Sequence, residues 1–411
     1  MIFRITKILL ISLFCLGFSY AQVNITSYNL LNYPGTDTSI RNPYFRIVIT
    51  SLNPDILVVQ EITSQQGVNG FLNNVLNYED TLWSAGTFID GPDTDNGIFY
   101  KKSLFVFISN TPIQTALRDI NEFKFVNIIS QDTFRIYSVH LKASEGTSNE
   151  ILRAAEVDSL RKVTNALPFN SNFIVCGDFN IYRSGEPAYI KLLEITPGYD
   201  GNFNDPLNLT GIWNNSLYAI YHTQSTRVRS FGGGSTGGLD DRFDMILYSN
   251  AINNPGGISY VPNSLTPYGN DGNHYNDSIN RPPNDFVPQI VADALHYASD
   301  HLPVYSLFIF PPISSANTLT SNTLEEFILY QNYPNPFNPK TKIKFSIPEN
   351  SFTTIKIFDI LGKEIDILVN EKLQPGTYEI NWDAALYPSG VYFYRIETDR
   401  YTDVKKMLLI K

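Results

Sequence analysis

Residues suited to phosphate or metal chemistry recur in this chain at one kind of place, the polar end of an apolar run. The densest case spans residues 173–180. Phe173, Ile174, Val175 and Cys176 read as a buried strand, Gly177 follows, and Asp178 and Asn180 stand two positions apart. A buried strand that ends in polar side chains delivers them to the rim of its sheet. Open α/β sheets bind ligands at that rim, beyond the carboxyl ends of the strands. Asp-x-Asn offers a carboxylate and a neutral donor/acceptor, which suits a hard metal ion, a water to be activated or a phosphate oxygen. The same trio is also ordinary turn chemistry, because Asp and Asn cap their own backbone. The two readings separate only if other segments aim compatible groups at the same point.

Five further segments have this form. Asn29 closes VNITSYN and Glu61 closes ILVVQE. His140 sits in IYSVHLKAS, with Lys142 two positions on. Asp244 lies in DDRFDMILYS, and Asp300 and His301 lie in SDHLPV. Singly, each has a structural reading: a turn former, a solvated acid entering a helix, a satisfied strand histidine, an acid facing water or an arginine, a plain loop. Jointly they suit a hard metal ion and a phosphate oxygen: phosphate oxygens are negative, so carboxylates reach one through a cation that reverses the sign and stabilises charge as a bond breaks. Imidazoles exchange protons near neutrality. An Asp behind His301 would fix its tautomer and raise its pKa. Lys142 would add positive charge for substrate.

The elements that must hold these residues read as follows. A strand over 23–29 precedes a helix over 42–52, with Phe45, Val48, Ile49 and Leu52 on one face. The apolar run 56–59 is a buried strand, and a second helix covers 68–76. Strands are expected near 82–89, 97–100, 104–109, 123–129 and 134–141. Thr147 and Glu150 form a capping box that opens a helix reaching 167, before Pro168. Strands over 242–248 and 303–310 close this part. The Asn-, Pro-, Gly- and Asp-rich segment 250–298 and the glycine-rich 231–238 read as long surface loops, the kind that serve as lids or substrate-binding elements or else are locally disordered.

At 411 residues the chain is too long for one typical core. Residues 1–21 read as a signal peptide: Arg4 and Lys7 precede an apolar run too short to span a bilayer, and Ala21 ends a small-residue cleavage site. Cys15 leaves with it, so Cys176 is the one cysteine of the mature chain and serves as a small core residue. Residues 22–310 carry 17 basic and 28 acidic side chains, a balance that does not favour coating DNA by charge alone. Residues 311–323 are a Pro-, Ser-, Asn- and Thr-rich linker. From 324 to 411, strands near 343–347, 353–360, 376–382, 390–397 and 401–410 alternate with turns, which argues for a small β-sandwich without helices.

The motifs SYNLLN, VVQE, VHLKAS, CGDFN, RFDMILYS and SDHLPV, in this order, resemble the endonuclease/exonuclease/phosphatase superfamily, the DNase-I-like fold. The resemblance covers residues 23–310. It implies an α/β fold, a two-sheet β-sandwich flanked by helices, and cleavage of phosphoester bonds with a divalent cation, Mg²⁺ or else Mn²⁺ or Ca²⁺. It implies Glu61 as the main metal ligand, helped by Asn29 and Asp300. Asp178 would orient or deprotonate the attacking water, Asn180 would position water and phosphate, and His301, held by Asp244, would meet the scissile phosphate. His140 matches the second histidine of the DNase and sphingomyelinase branches. Two departures stand out. Ile62-Thr63-Ser64 follow Glu61 where nucleases close to DNase I place a minor-groove arginine, and the acid that partners His140 is open, with Asp93 and Asp95 as candidates.

The segments YQNYPNPFNPKTKIKFSIP, IKIFDILGKEI, PSGVYFYRI and KKMLLIK resemble the type A C-terminal sorting domain of the type IX secretion system, an all-β, immunoglobulin-like sandwich over 324–411. That implies export to the periplasm, passage through the outer membrane by the type IX machinery, and a secreted or surface location, with no stable membrane span. The expectation is a monomeric metal-dependent phosphodiesterase acting on nucleic acid. The alternatives are a sphingomyelinase-like or small phosphate-ester hydrolase on the same fold, and a catalytically silent surface-binding module.

Overall fold

The computed structural model describes residues 22–254, 257–311 and 326–411. The expected signal peptide and nearly all of the expected linker lie outside the described residues.

Strict alternation in the strands explains the layering of the first part. In β1 (Gln22–Tyr33) and β2 (Ile56–Ile62), Ile25, Ile56 and Val58 face a core between two sheets, while Tyr28, Leu57 and Val59 face a second core under helices. One sheet runs β11 (Ser259–Tyr260), β13 (Val304–Ile309), β1, β2, β4 (Asp95–Lys101), β3 (Trp83–Ala85), with β12 (Thr266–Pro267) beside β13. The other runs β5 (Phe105–Ile113), β6 (Ile120–Asn127), β7 (Thr133–His140), β8 (Phe173–Asp178), β10 (Asp244–Ser249), β9 (Phe203–Asn204). Ile174 and Cys176 of β8 point into the core between the sheets. Phe173 and Val175 point to the opposite face, against α3 (Thr147–Asn165) and α4 (Pro187–Leu193). Helices α1 (Thr38–Leu52), α2 (Gln65–Phe71) and α5 (Gln289–Ala298) cover the first sheet. The result is an α/β sandwich of two mixed sheets with helices outside, as expected.

Several local expectations are corrected. The helix at 147 starts from Gly146 with no side-chain cap; Glu150 is drawn instead into an ion pair with Arg183 at 2.7 Å. The segment 250–298 is not all loop, because Val291, Ala292, Ala294, Leu295 and Ala298 form the buried face of α5. The strand expected near 82–89 shrinks to β3.

Residues 326–411 form two antiparallel sheets around their own core. One is β14 (Ile328–Leu329), β15 (Lys340–Ile347), β18 (Gly376–Asp383). The other is β17 (Glu364–Leu373), β16 (Ser351–Phe358), β19 (Gly390–Glu397), β20 (Thr402–Leu409). The sequence reading missed β17: its pairing with β16 shifts register twice, which breaks the alternation that marks a strand.

Candidate active site

Strand register assembles half the site. The parallel pair β7–β8 sets His140 opposite Asp178, and the antiparallel pair β8–β10 sets Asp178 opposite Asp244. Three chemistry-bearing side chains thus leave three adjacent strands at one rim. Gly177 is what lets β8 approach β7, since a Cβ there would land on the Val139 carbonyl oxygen. The turn itself falls at Asn180, with φ 51°. The facing sheet supplies Asn29 from within β1, which runs on past the expected end at 29 and shifts its register with β2 there, Glu61 from near the end of β2, and Asp300 and His301 from just before β13. Glu61 is held at φ 58°, a conformation that non-glycine residues adopt at a cost of about 1–3 kcal/mol and that clusters at functional sites. Beneath the rim, buried polar groups link the sheets: Gln60 donates to Ser138 Oγ at 3.0 Å, and Ser138 donates to Asn96 Oδ1 at 2.9 Å.

Asp178 is the hub. Its Oδ2 accepts from Asn29 Nδ2 at 3.3 Å and lies 3.7 Å from His140 Nε2 and 3.6 Å from His301 Nε2. Its Oδ1 accepts the Asn180 backbone N–H at 3.1 Å, and Asn180 Nδ2 donates to the Leu141 carbonyl. Asn29 Nδ2 also donates to Glu61 Oε1 at 3.0 Å, while Glu61 Oε2 accepts the Asn32 N–H at 2.9 Å. His140 Nε2 lies 3.8 Å from Glu61 Oε1. His301 Nδ1 donates to Asp244 Oδ2 at 2.7 Å, and the backbone of Asp244 is pinned by Thr223 Oγ1.

The electrostatics set the two histidines apart. Burial alone disfavours a charged imidazole. At His301 the carboxylates of Asp244 and Asp178 outweigh burial, and its pKa stands well above the ordinary histidine value. At His140 burial acts with the nearby charges of Arg118 and His301, and its pKa falls well below that value. One imidazole is therefore cationic at neutral pH and the other neutral. Burial also raises Asp178, to about 7, with His301 opposing the shift and Asp244 and Glu61 reinforcing it.

Other expected residues sit differently. Asp300 Oδ2 accepts the Ser235 N–H at 2.6 Å and faces the Gln224 amide at 3.4 Å, and its Oδ1 has no hydrogen-bond partner. Lys142 is half-buried, with Nζ on the Ala143 carbonyl and its N–H on Glu156. Neither candidate acid partners His140: Asp93 pairs with Arg118 at 2.9 Å, Asp95 accepts from Gly91, and His140 Nδ1 is unpartnered.

Three participants escaped the sequence reading, and a fourth, the glycine-rich loop, was read without its target. The Gln224 amide lies 2.6 Å from His301 Nε2. Thr223, next to it, pins the strand that carries Asp244. Arg118 stands near His140. The glycine-rich loop packs onto Asp300: a Cβ on Gly234 would sit 2.7 Å from Asp300 Oδ2 and 2.9 Å from Leu31 Cδ1. Its glycines permit close approach of backbone to carboxylate, and that composition was the one available signal.

Among the described residues, no three Asp, Glu, His or Cys side chains converge as a ready-made metal cage. A divalent ion such as Mg²⁺ needs only one or two carboxylates, its shell being completed by water and substrate oxygens. Glu61 offers carboxylate oxygens at a partly open rim, and the unpartnered Asp300 Oδ1 is a further free acceptor; Asn29 is fully buried, with Oδ1 on the Leu31 N–H at 3.0 Å and its amide nitrogen turned to Glu61 and Asp178.

The sequence model of the endonuclease/exonuclease/phosphatase family matches residues 26–301, and that of the secretion system C-terminal sorting domain matches residues 331–411. No curated protein sequence matches the chain. Similar solved structures include TDP2 of D. rerio complexed with single strand DNA product (16% identity, 70% of this chain and 99% of that one, TM-score 0.48). Others are the human Nocturnin catalytic domain with bound sulfate (18%, 71% and 95%, TM-score 0.44) and a family protein from Bacteroides thetaiotaomicron (16%, 71% and 99%, TM-score 0.44).

Proposed function

The chain belongs to the endonuclease/exonuclease/phosphatase family, and from that membership we propose that it is an exported, divalent-metal-dependent phosphodiesterase acting on nucleic acid. The observation that carries the reading is the Asp178 hub, where a raised carboxylate lies between a cationic and a neutral histidine.

In this reading Glu61 and Asn29, with Asp300, hold the cation, which when bound neutralises phosphate charge and polarises the scissile bond. His301, kept charged by Asp244, donates through Nε2 to a non-bridging phosphate oxygen. Asp178 takes the proton of the attacking water, and the Asn180 backbone N–H fixes the carboxylate for that transfer. Neutral His140 accepts or returns a proton on the other side of Asp178. Asn180 and Lys142 contact the phosphate or its neighbour along the strand. A signal peptide at 1–21 and the sorting tail take the enzyme out of the cell, where polymeric nucleic acid is a phosphate and nucleoside source.

One surface feature favours a second reading. Ile212 and Leu217 are exposed on the segment that leads into Thr223 and Gln224. Exposed apolar side chains on that segment would suit a phosphodiester with an apolar group, of the sphingomyelin type. A substrate panel of DNA, RNA, bis-p-nitrophenyl phosphate and sphingomyelin, run with Mg²⁺, Mn²⁺ and Ca²⁺, tests both. Preferential turnover of nucleic acid supports the first reading and preferential turnover of sphingomyelin the second. Turnover of none rejects the enzyme.

A further inference from the structure

The two ends of the C-terminal sandwich differ in chemistry. Strand register puts the connections 348–350, 374–375 and 398–401 at one end, since Ile347 pairs with Gly376, Ser351 with Leu373 and Thr354 with Glu397. These turns are polar. Arg400 pairs with Glu349, and Asp399 accepts from Ser351 Oγ. The described chain also enters at this end, through β14, whose Ile328 pairs with Ser346.

The opposite end carries the connections 330–339, 359–363 and 384–389 and the last strand's end, because Phe337 bridges to Leu409, Phe358 pairs with Phe393 and Gly390 with Leu409. The first of these connections is polar, with Gln331, Asn332 and Asn335, and the tips of the other two are apolar. Leu386 is 95% exposed, Leu361 89%, Ile360 69% and Ile410 50%. These tips are pinned, not loose. Asp359 Oδ1 accepts the N–H groups of Leu361 and Lys363 at 2.9 and 3.0 Å, and Asp383 Oδ1 accepts that of Ala385 at 3.0 Å. Tyr387 Oη donates to the Ile365 carbonyl at 3.0 Å and joins the two connections. Lys411 fastens the terminus across the second one, its N–H on Ser389 Oγ at 3.0 Å and its Nζ on the Ala385 carbonyl at 2.7 Å. Exposed leucines on prearranged turns lose little freedom when they enter a pocket. Clustered exposed apolar side chains mark interaction sites.

We propose that this apolar end, with Ile360, Leu361 and Leu386 as its anchors, is the surface by which a protein receptor of the secretion machinery engages the chain through an apolar pocket. The inference rests on the match of residues 331–411 to a sorting domain and is independent of the chemistry proposed for the catalytic site. Entry of the chain at the polar end leaves the apolar end distal and free to be bound.

The test is export of the full-length chain from a bacterium with a type IX secretion system, scored by immunoblot of cells and medium so that enzymatic activity plays no part. Leu361→Asp/Leu386→Asp is expected to reduce exported protein at least tenfold, with the same thermal unfolding as wild type. Leu361→Met/Leu386→Met should export normally, as should Glu349→Gln/Arg400→Gln at the polar end. If the Asp pair unfolds, Leu361→Asn/Leu386→Asn takes its place. Normal export of the folded polar variant overturns the proposal. So does an equal block from the Met pair or from the polar-end pair.

Discussion

The Nδ1 nitrogen of His301 lies 2.7 Å from Oδ2 of Asp244, and both side chains are almost completely buried. Asp244 opens β10 of one sheet and His301 just precedes β13 of the other, so the pair spans the junction of the sandwich at its working rim. Removing the acid's charge while keeping its shape isolates what the pair does. Asp244→Asn is expected to lower activity on bis-p-nitrophenyl phosphate by about 10²–10⁴-fold, the range of a lost acid/base contribution. Thermal unfolding should show the fold intact.

Asp178 carries a stability cost that function requires. Burial raises its folded pKa to about 7, above the ordinary carboxylate value of 3.8. A raised carboxylate costs nothing below the unfolded pKa, and the cost grows as pH climbs through the window from 3.8 to 7. Asp178→Asn should therefore stabilise the metal-free protein by roughly 1–4 kcal/mol at pH 8, at about 1.4 kcal/mol per pKa unit, and by less at pH 5. Activity should fall at both. Thermal melts with EDTA at the two pH values check the sign.

The pair Arg242–Asp205 is wholly buried at 2.9 Å, with the guanidinium over Trp213. Burial raises the Asp205 pKa, but Arg242 outweighs it and the net direction is downward. The pair's contribution is thus present above the ordinary carboxylate pKa and is lost as pH falls through the lower, folded one. Arg242→Met, which strands a buried carboxylate, should cost about 3–5 kcal/mol at pH 7 in urea unfolding, and less below pH 3.

Gly234 has φ 79° and its Cα faces Asp300. Gly234→Ala should push the Asp300 carboxylate aside and lower kcat/KM by about 10²-fold, the scale of an ångström of misplacement near the chemistry. A melt within about 2 °C of wild type would separate this from unfolding.

How much of this was legible in sequence follows from the physics of each part. The strand-end residues could be read because a buried run followed by Asp, Glu or His is a local pattern, and strands set their ends at a common rim. The helix α5 had its periodicity in plain view but lay inside a Pro- and Asn-rich segment whose composition outweighed it. Gln224 and Arg118 reach the site from irregular loops, through contacts with residues 77 and 22 positions away, as His301 and His140 show, and no local pattern encodes such contacts. The role of Gly177 was half legible: glycine there allows both φ 140° and the close approach of Val139, and the second depends on a neighbouring strand that no local pattern encodes.

The most direct measurement is hydrolysis of a phosphodiester by residues 22–310, first stripped with EDTA and then titrated with Mg²⁺, alongside His301→Ala. The account predicts no turnover when stripped, recovery with Mg²⁺, and loss of most activity in the folded variant. Turnover that is indifferent to EDTA, or full activity in His301→Ala, would contradict it.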